Sequence, residues 1–201
     1  MRNITTLLFD LGGVLIELGP VRALIESSPH DPDRVWQNWI HSDTVRRFES
    51  GNCSAQEFAV SMIEQLDLQD TPETFLERFR QWPRGSYPNA ETLLDNLASH
   101  YRLVCLSNTN PVHFDDFLRH QPLMSCFHHA YLSHQTGVLK PDAEAFHQVI
   151  RDLDLQPDEI LFLDDNPGNI TAASDIGIHS VQVHALDGVL DALNRYQLRH
   201  L

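Results

Sequence analysis

Short apolar runs in this chain stop repeatedly on polar residues able to do chemistry, and that placement constrains the fold more than any other feature. Ile4–Phe9 is apolar or β-branched throughout and stops at Asp10 and the Gly12-Gly13 pair. Tyr101–Ser107 (YRLVCLS) ends on Ser107-Asn108, and Glu159–Asp164 (EILFLD) ends on Asp164-Asp165. Ala130–Ser133 and His179–His184 complete the set. Apolar runs bounded by turn residues predict strands covered on both faces. Helical patterns separate them. Asn89–His100 carries Leu93, Leu94 and Leu97 at helical spacing. Asp142–Leu153 carries Phe146, Val149, Ile150 and Leu153, with Pro141 as a first-turn residue. Asn169–Ile176 predicts a shorter helix ending at Gly177. Strands alternating with helices predict an α/β protein, a Rossmann-like parallel sheet with helices on both faces.

The interval from Glu17 to Arg84 breaks this rhythm. It has no convincing strand, but amphipathic stretches run over Asp33–Ile40, Ser54–Leu66 and Thr74–Gln81. Ser54 and Glu57 have the spacing of a capping box. The expected organisation is a core of residues 1–16 and 85–201, with residues 17–84 inserted as a small α-helical cap. Trp36 and Trp39, three apart, read as cap packing. Arg46, Arg47, Phe48 and Glu49 fit either a solvated helix face or a surface that meets a ligand when the cap closes.

Composition narrows the partners. Acidic residues number 28 against 14 Lys and Arg, a formal charge of −14. That balance disfavours nucleic acid, whose binding relies on Lys and Arg neutralising phosphates, and disfavours an anionic membrane surface. It says little about a small anion, which senses only the groups lining its pocket. Cys53, Cys105 and Cys126 match no CxxC pair, so neither a disulfide framework nor a zinc site is expected. After Met1-Arg2-Asn3 no signal-peptide apolar region follows, and the chain reads as cytoplasmic. His128-His129 would point opposite ways on a strand and is not expected to hold metal.

In open parallel sheets ligands bind beyond the carboxyl ends of the strands. Right-handed crossovers would bring Asp10, Ser107-Asn108, Asp164-Asp165 and the Lys140 that precedes Pro141 to one such edge. Three carboxylates there repel one another. At ~4 Å and an effective dielectric of ~20 each pair costs about 4 kcal/mol. Either one takes up a proton or a divalent cation fills the gap. An all-oxygen donor set suits Mg²⁺. Ser107, Asn108 and Lys140 would hold phosphate oxygens. One carboxylate is then left to attack phosphorus, giving an aspartyl-phosphate that water hydrolyses.

FDLGGVL (Phe9–Leu15), LSNT (Leu106–Thr109), Lys140-Pro141 and FLDDNPGNI (Phe162–Ile170) together resemble the four motifs of the haloacid dehalogenase superfamily, in its order and spacing. The inserted helices resemble its C1 cap. The stretch FESGNCSAQEF (Phe48–Phe58) is similar to caps of bacterial sugar-phosphate phosphatases of the α-glucose-1-phosphate phosphatase type. The resemblance implies a phosphatase acting on a small phosphorylated metabolite, such as a sugar-1-phosphate. It makes Asp10 the nucleophile and Lys140 its catalytic partner, with phosphate bound by Ser107, Asn108 and Lys140. It assigns Mg²⁺ to Asp10, the Gly12 carbonyl and Asp165, with Asp164 in support. One departure stands out: family phosphatases usually carry a second aspartate two residues after the nucleophile, as general acid and base. Here that position is Gly12. General acid catalysis contributes about 10²–10⁴-fold. A good leaving group such as an anomeric oxygen, or an acid from the cap with His41 as candidate, would have to make up for it. A 2-haloacid dehalogenase and a non-catalytic binding protein are the alternatives. The paired Asp164-Asp165 speaks against the first, and the missing acid motivates the second.

Overall fold

A computed structural model describes residues 4–200; Met1–Asn3 of the leading segment and Leu201 lie outside the described residues. Among these residues seven strands form: β1 (Thr6–Phe9), β2 (Ile16–Leu18), β3 (Pro83–Ser86), β4 (Arg102–Ser107), β5 (His129–Leu132), β6 (Ile160–Asp164) and β7 (His179–Gln182). Five make one parallel sheet in the order β5-β4-β1-β6-β7. Strand alternation sorts the core into two layers. Leu7, Phe9, Leu103, Cys105, Leu161 and Leu163 face helices Ala90–Ala98 and Ala185–Arg195. Leu8, Val104, Leu106 and Phe162 face helices Ala143–Leu153 and Pro167–Asp175. With both faces covered, β1, β4 and β6 carry no polar side chain between their first and last residues. The α/β architecture expected from the alternating pattern is the one observed.

Two local expectations are corrected. Asp142 keeps ψ at 129°, so the following helix starts at Ala143 and Pro141 precedes it rather than opening it. Glu17-Leu18 and Pro83-Arg84, expected to be non-strand, belong to an antiparallel pair in which Glu17 faces Gly85. Each strand is three or four residues long and one contains both Pro and Gly, so the signal is too short and broken to read.

Between β2 and β3, helices Pro32–Ile40, Asp43–Glu49, Ala55–Gln65 and Pro72–Arg80 enclose a hydrophobic cluster of their own. The Ser54–Glu57 capping box forms, with Ser54 N–H donating to Glu57 Oε2 at 2.8 Å and Glu57 N–H to Ser54 Oγ at 3.2 Å. Phe48 stacks on Phe58 at 4.2 Å, and Trp39 meets Phe58 edge-on at 5.9 Å. Such pairs add about 0.5–1.5 kcal/mol beyond their buried area.

Three contacts tie these helices to the sheet domain. Arg46 pairs with Asp142, and Arg80 Nε donates to Asp116 Oδ2 at 3.0 Å. The third is His113, buried on helix Pro111–Asp116, whose ring stacks on Phe79 at 4.0 Å. Its Nε2 lies 2.7 Å from the Phe79 carbonyl and its Nδ1 3.2 Å from Asn110 Nδ2. These partners suit a neutral ring that donates from Nε2 and accepts at Nδ1. Burial holds its pKa down to about 4, against bonding to Phe79 and the Asp116 charge. Between the ordinary imidazole value of 6.5 and about 4 the unfolded chain therefore binds a proton that the folded chain refuses. Stability should fall as pH drops through that window, by on the order of 3 kcal/mol from this group at about 1.4 kcal/mol per pH unit. Urea titrations from pH 7 to 4 should show a steeper acid-side loss in wild type than in His113→Gln.

Candidate active site

The sheet order puts β1 between β4 and β6, so the three chemically informative strand ends are neighbours. Asp10 N–H donates to the Leu163 carbonyl at 2.9 Å, carrying the ladder one step past the strand before the chain turns. Leu11 O then accepts from the N–H groups of Val14, Leu15 and Ile16, which closes a tight coil. Gly13 is held at φ +74°, and a Cβ there would lie 2.5 Å from Asp165 Oδ2. A glycine is needed twice over: for the left-handed turn and for the approach of Asp165. At Gly12 a Cβ would meet Leu18 Cδ1 at 3.1 Å, so an apolar side chain from β2 fills the space beyond it.

Lys140 sits at the centre, 3% exposed. Its Nζ donates to Asp10 Oδ1 at 2.8 Å and to Asp164 Oδ2 at 2.6 Å, and lies 5.5 Å from the centre of the Phe162 ring. An ammonium has three N–H groups, so one remains for a ligand. Asn108 positions this lysine. Its Nδ2 donates to Lys140 O at 2.8 Å while its Oδ1 accepts from Lys140 N–H at 2.9 Å, in the manner of a strand pairing made by a side chain.

Asp164 is fully buried and satisfied by protein donors. Asn166 N–H reaches Oδ1 at 2.8 Å, and Asn169 Nδ2 reaches both oxygens at 3.0 Å. Asp165 is half-buried and lines the open cavity. Oxygens of Asp10, Asp164 and Asp165 lie within 4.8 Å of one another. Burial, reinforced by Asp164 and Asp165 against the pull of Lys140, pushes Asp10 up to about 7. Asp165 is raised by burial and then by Asp164, against Lys140 and His184. Burial alone works against the Lys140 charge, yet Asp10 and Asp164 hold it above the usual lysine range. Three carboxylates against one ammonium, all facing oxygen donors, form a set that fits a hard divalent cation.

The cavity above these residues measures about 440 Å³. The sheet domain contributes Asp10, Gly12, Ser107, Asn108, Lys140 and Asp165, so every expected site residue except Asp164, which lies beneath, lines it. The helical insertion contributes Trp36, Trp39, Ile40, His41, Arg46 and Glu49. Glu49 is pushed up to about 7 by burial and by the Asp10 charge, against Lys140. The sequence reading gave Asn169 no role, and no pattern in the sequence signals that its amide spans Asp164. His128 proves structural: its Nδ1 accepts from Leu103 N–H at 3.0 Å.

A model of the haloacid dehalogenase-like hydrolases matches residues 4–177. The chain belongs to that family. D-ribitol-5-phosphate phosphatase of Bacteroides thetaiotaomicron is 28% identical over 192 residues, 89% of this chain and 91% of that protein. A solved haloacid dehalogenase-like hydrolase of Porphyromonas gingivalis is 28% identical, with a TM-score of 0.80 over 98% of this chain and 99% of its own. A mutant of a haloacid dehalogenase family enzyme from Bacteroides thetaiotaomicron, solved with magnesium and inorganic phosphate, is 25% identical. It has a TM-score of 0.73 over 90% of this chain and 94% of its own. The chain thus spans nine-tenths or more of the length of each of these three haloacid dehalogenase-like hydrolases.

The two acidic neighbours should respond differently to truncation in chelator. Asp164→Ala takes from Lys140 one of its two buried carboxylates and leaves Asn169 without its acceptor, and should destabilise by about 3–5 kcal/mol. Asp165→Ala relieves burial and Asp164 repulsion that outweigh its attraction to Lys140 and His184, and should change the urea midpoint little or raise it. Equal losses would mean that the two carboxylates are equally built into the fold.

Proposed function

We propose that the chain is a Mg²⁺-dependent phosphatase of a small phosphorylated metabolite, with Asp10 as the covalent nucleophile. The observation that carries this is Asp10 at the end of the central strand, held by Lys140 beside Asp165 and open to a cavity floored by Ser107 and Asn108. Relatives named or solved as a sugar-alcohol phosphate phosphatase and a magnesium–phosphate complex support the reaction class and the metal. The cavity of about 440 Å³ suits a phosphate carrying a leaving group the size of a sugar or sugar alcohol.

In this reading the two Asp10 oxygens share the work, one attacking phosphorus while the other faces the cation. The Gly12 carbonyl and Asp165 complete the protein side of the metal site, and Asp164 supports it from below through Lys140. Mg²⁺ when bound supplies neutralisation of charge on the transferring phosphoryl group. The free N–H of Lys140, the Ser107 hydroxyl and the remaining N–H of Asn108 hold phosphate oxygens. Residues 17–84 act as a cap that excludes water while the phosphoryl group moves.

Asp10→Asn keeps the side-chain volume and removes the attacking charge. It should lower phosphate release from p-nitrophenyl phosphate to background while the thermal midpoint stays within a few degrees of wild type. Activity at the wild-type level in this variant would remove Asp10 from the nucleophile role. Undiminished activity in excess chelator would remove the metal.

A further inference from the structure

The phosphatase reading leaves one atom unaccounted for: the proton that the leaving oxygen must gain, since Gly12 carries no side chain to give it. The helical insertion presents one carboxyl to the same cavity. Glu49 closes helix Asp43–Glu49 and lines the cavity that Asp10, Ser107 and Lys140 also line.

Its place is fixed from both sides. Three residues earlier, Arg46 pairs across to Asp142, two residues beyond Lys140. Next to it, Phe48 is 1% exposed within the aromatic cluster. Two residues later Gly51, at φ +74°, packs so closely on the sheet domain that a Cβ would stand 2.6 Å from the His134 carbonyl oxygen. Glu49 thus lies in a stretch of the insertion pinned on either flank to the sheet domain. The salt bridges among the described residues engage Arg46, Arg78 and Arg80 of the insertion and leave the Glu49 carboxyl out.

Resting on the phosphatase reading, we propose that Glu49 is the general acid and base of this site, taking the role for which position 12 has no side chain. An ionised carboxylate over a bound phosphate would repel it, so the carboxyl enters the complex protonated. An Asp10 oxygen forms a bond to phosphorus as the phosphorus–leaving-oxygen bond breaks, and the leaving oxygen takes the Glu49 proton. The Glu49 carboxylate then removes a proton from water as that water attacks phosphorus and the Asp10 oxygen departs. Alcohol and inorganic phosphate leave, and both carboxyl groups return to their starting states. With this acid present, primary alkyl phosphates become accessible substrates alongside those with good leaving groups.

The test uses the full chain with Mg²⁺ and two substrates that lack sugar hydroxyls, p-nitrophenyl phosphate and n-propyl phosphate. Glu49→Gln should lose about 10²–10⁴-fold in kcat/KM on propyl phosphate but less than about tenfold on p-nitrophenyl phosphate. With the latter it should release a burst of p-nitrophenolate equal to the enzyme and then turn over slowly, because the phosphoenzyme lacks its base. Glu49→Asp should recover part of both losses. The burst itself reports a folded site. Equal losses on both substrates, or none, would overturn the assignment, as would the same pattern in His41→Asn with Glu49→Gln unaffected. If wild type releases phosphate from neither substrate, the phosphatase reading fails first. Wild-type turnover with Glu49→Gln unchanged removes Glu49 alone.

Discussion

The structure turns on one buried ammonium. Lys140 Nζ is shared between Asp10, just past β1, and Asp164, the last residue of β6, where neither carboxylate has much water to turn to. Charges removed from water are tolerated only when they are paired and hydrogen-bonded, and removing one partner is far more damaging than never having the pair. Much of the surrounding detail serves that condition. Asn108 clamps the Lys140 backbone, Asn169 and the Asn166 N–H take up Asp164, and Gly13 lets Asp165 come close. With its three carboxylates ionised against one ammonium, the group is two positive charges short of neutral, a balance that a divalent cation would meet.

The inserted helices meet a different requirement. Their own aromatic cluster lets them fold as a unit over the strand ends. The β2–β3 pair, the His113–Phe79 contact and the Arg46–Asp142 ion pair then set how that unit sits on the sheet domain. The strand-end residues and the inserted helices that together line the cavity are therefore separate pieces of structure.

Legibility from the sequence followed length and periodicity. The five strands of the parallel sheet and most of the longer helices were readable to within a residue or two, because burial on both faces forces continuous apolar runs and helices of nine or eleven residues display their period; helix Ala185–Arg195 went unassigned. Ser54 with Glu57 was readable because a capping box is local. Helix Asp43–Glu49 was not, since seven residues make barely two turns. β2 and β3 escaped because strands of three and four residues, the second broken by Pro and Gly, carry no pattern.

The sequence by itself determined the sheet, the side of it on which chemistry is placed, and the identity of Asp10, Ser107, Asn108, Lys140, Asp164 and Asp165 as the residues gathered there. Strand ends and turn residues are local facts, and parallel crossovers leave little choice about where they meet. Only the tertiary structure decided which two carboxylates Lys140 holds, that Asp164 lies beneath the cavity while Asp165 faces it, that Asn169 takes up Asp164, and that Glu49 lines the cavity. Those outcomes depend on distances of a few ångströms between side chains far apart in the chain. No spacing along the chain encodes such distances, because packing in three dimensions sets them.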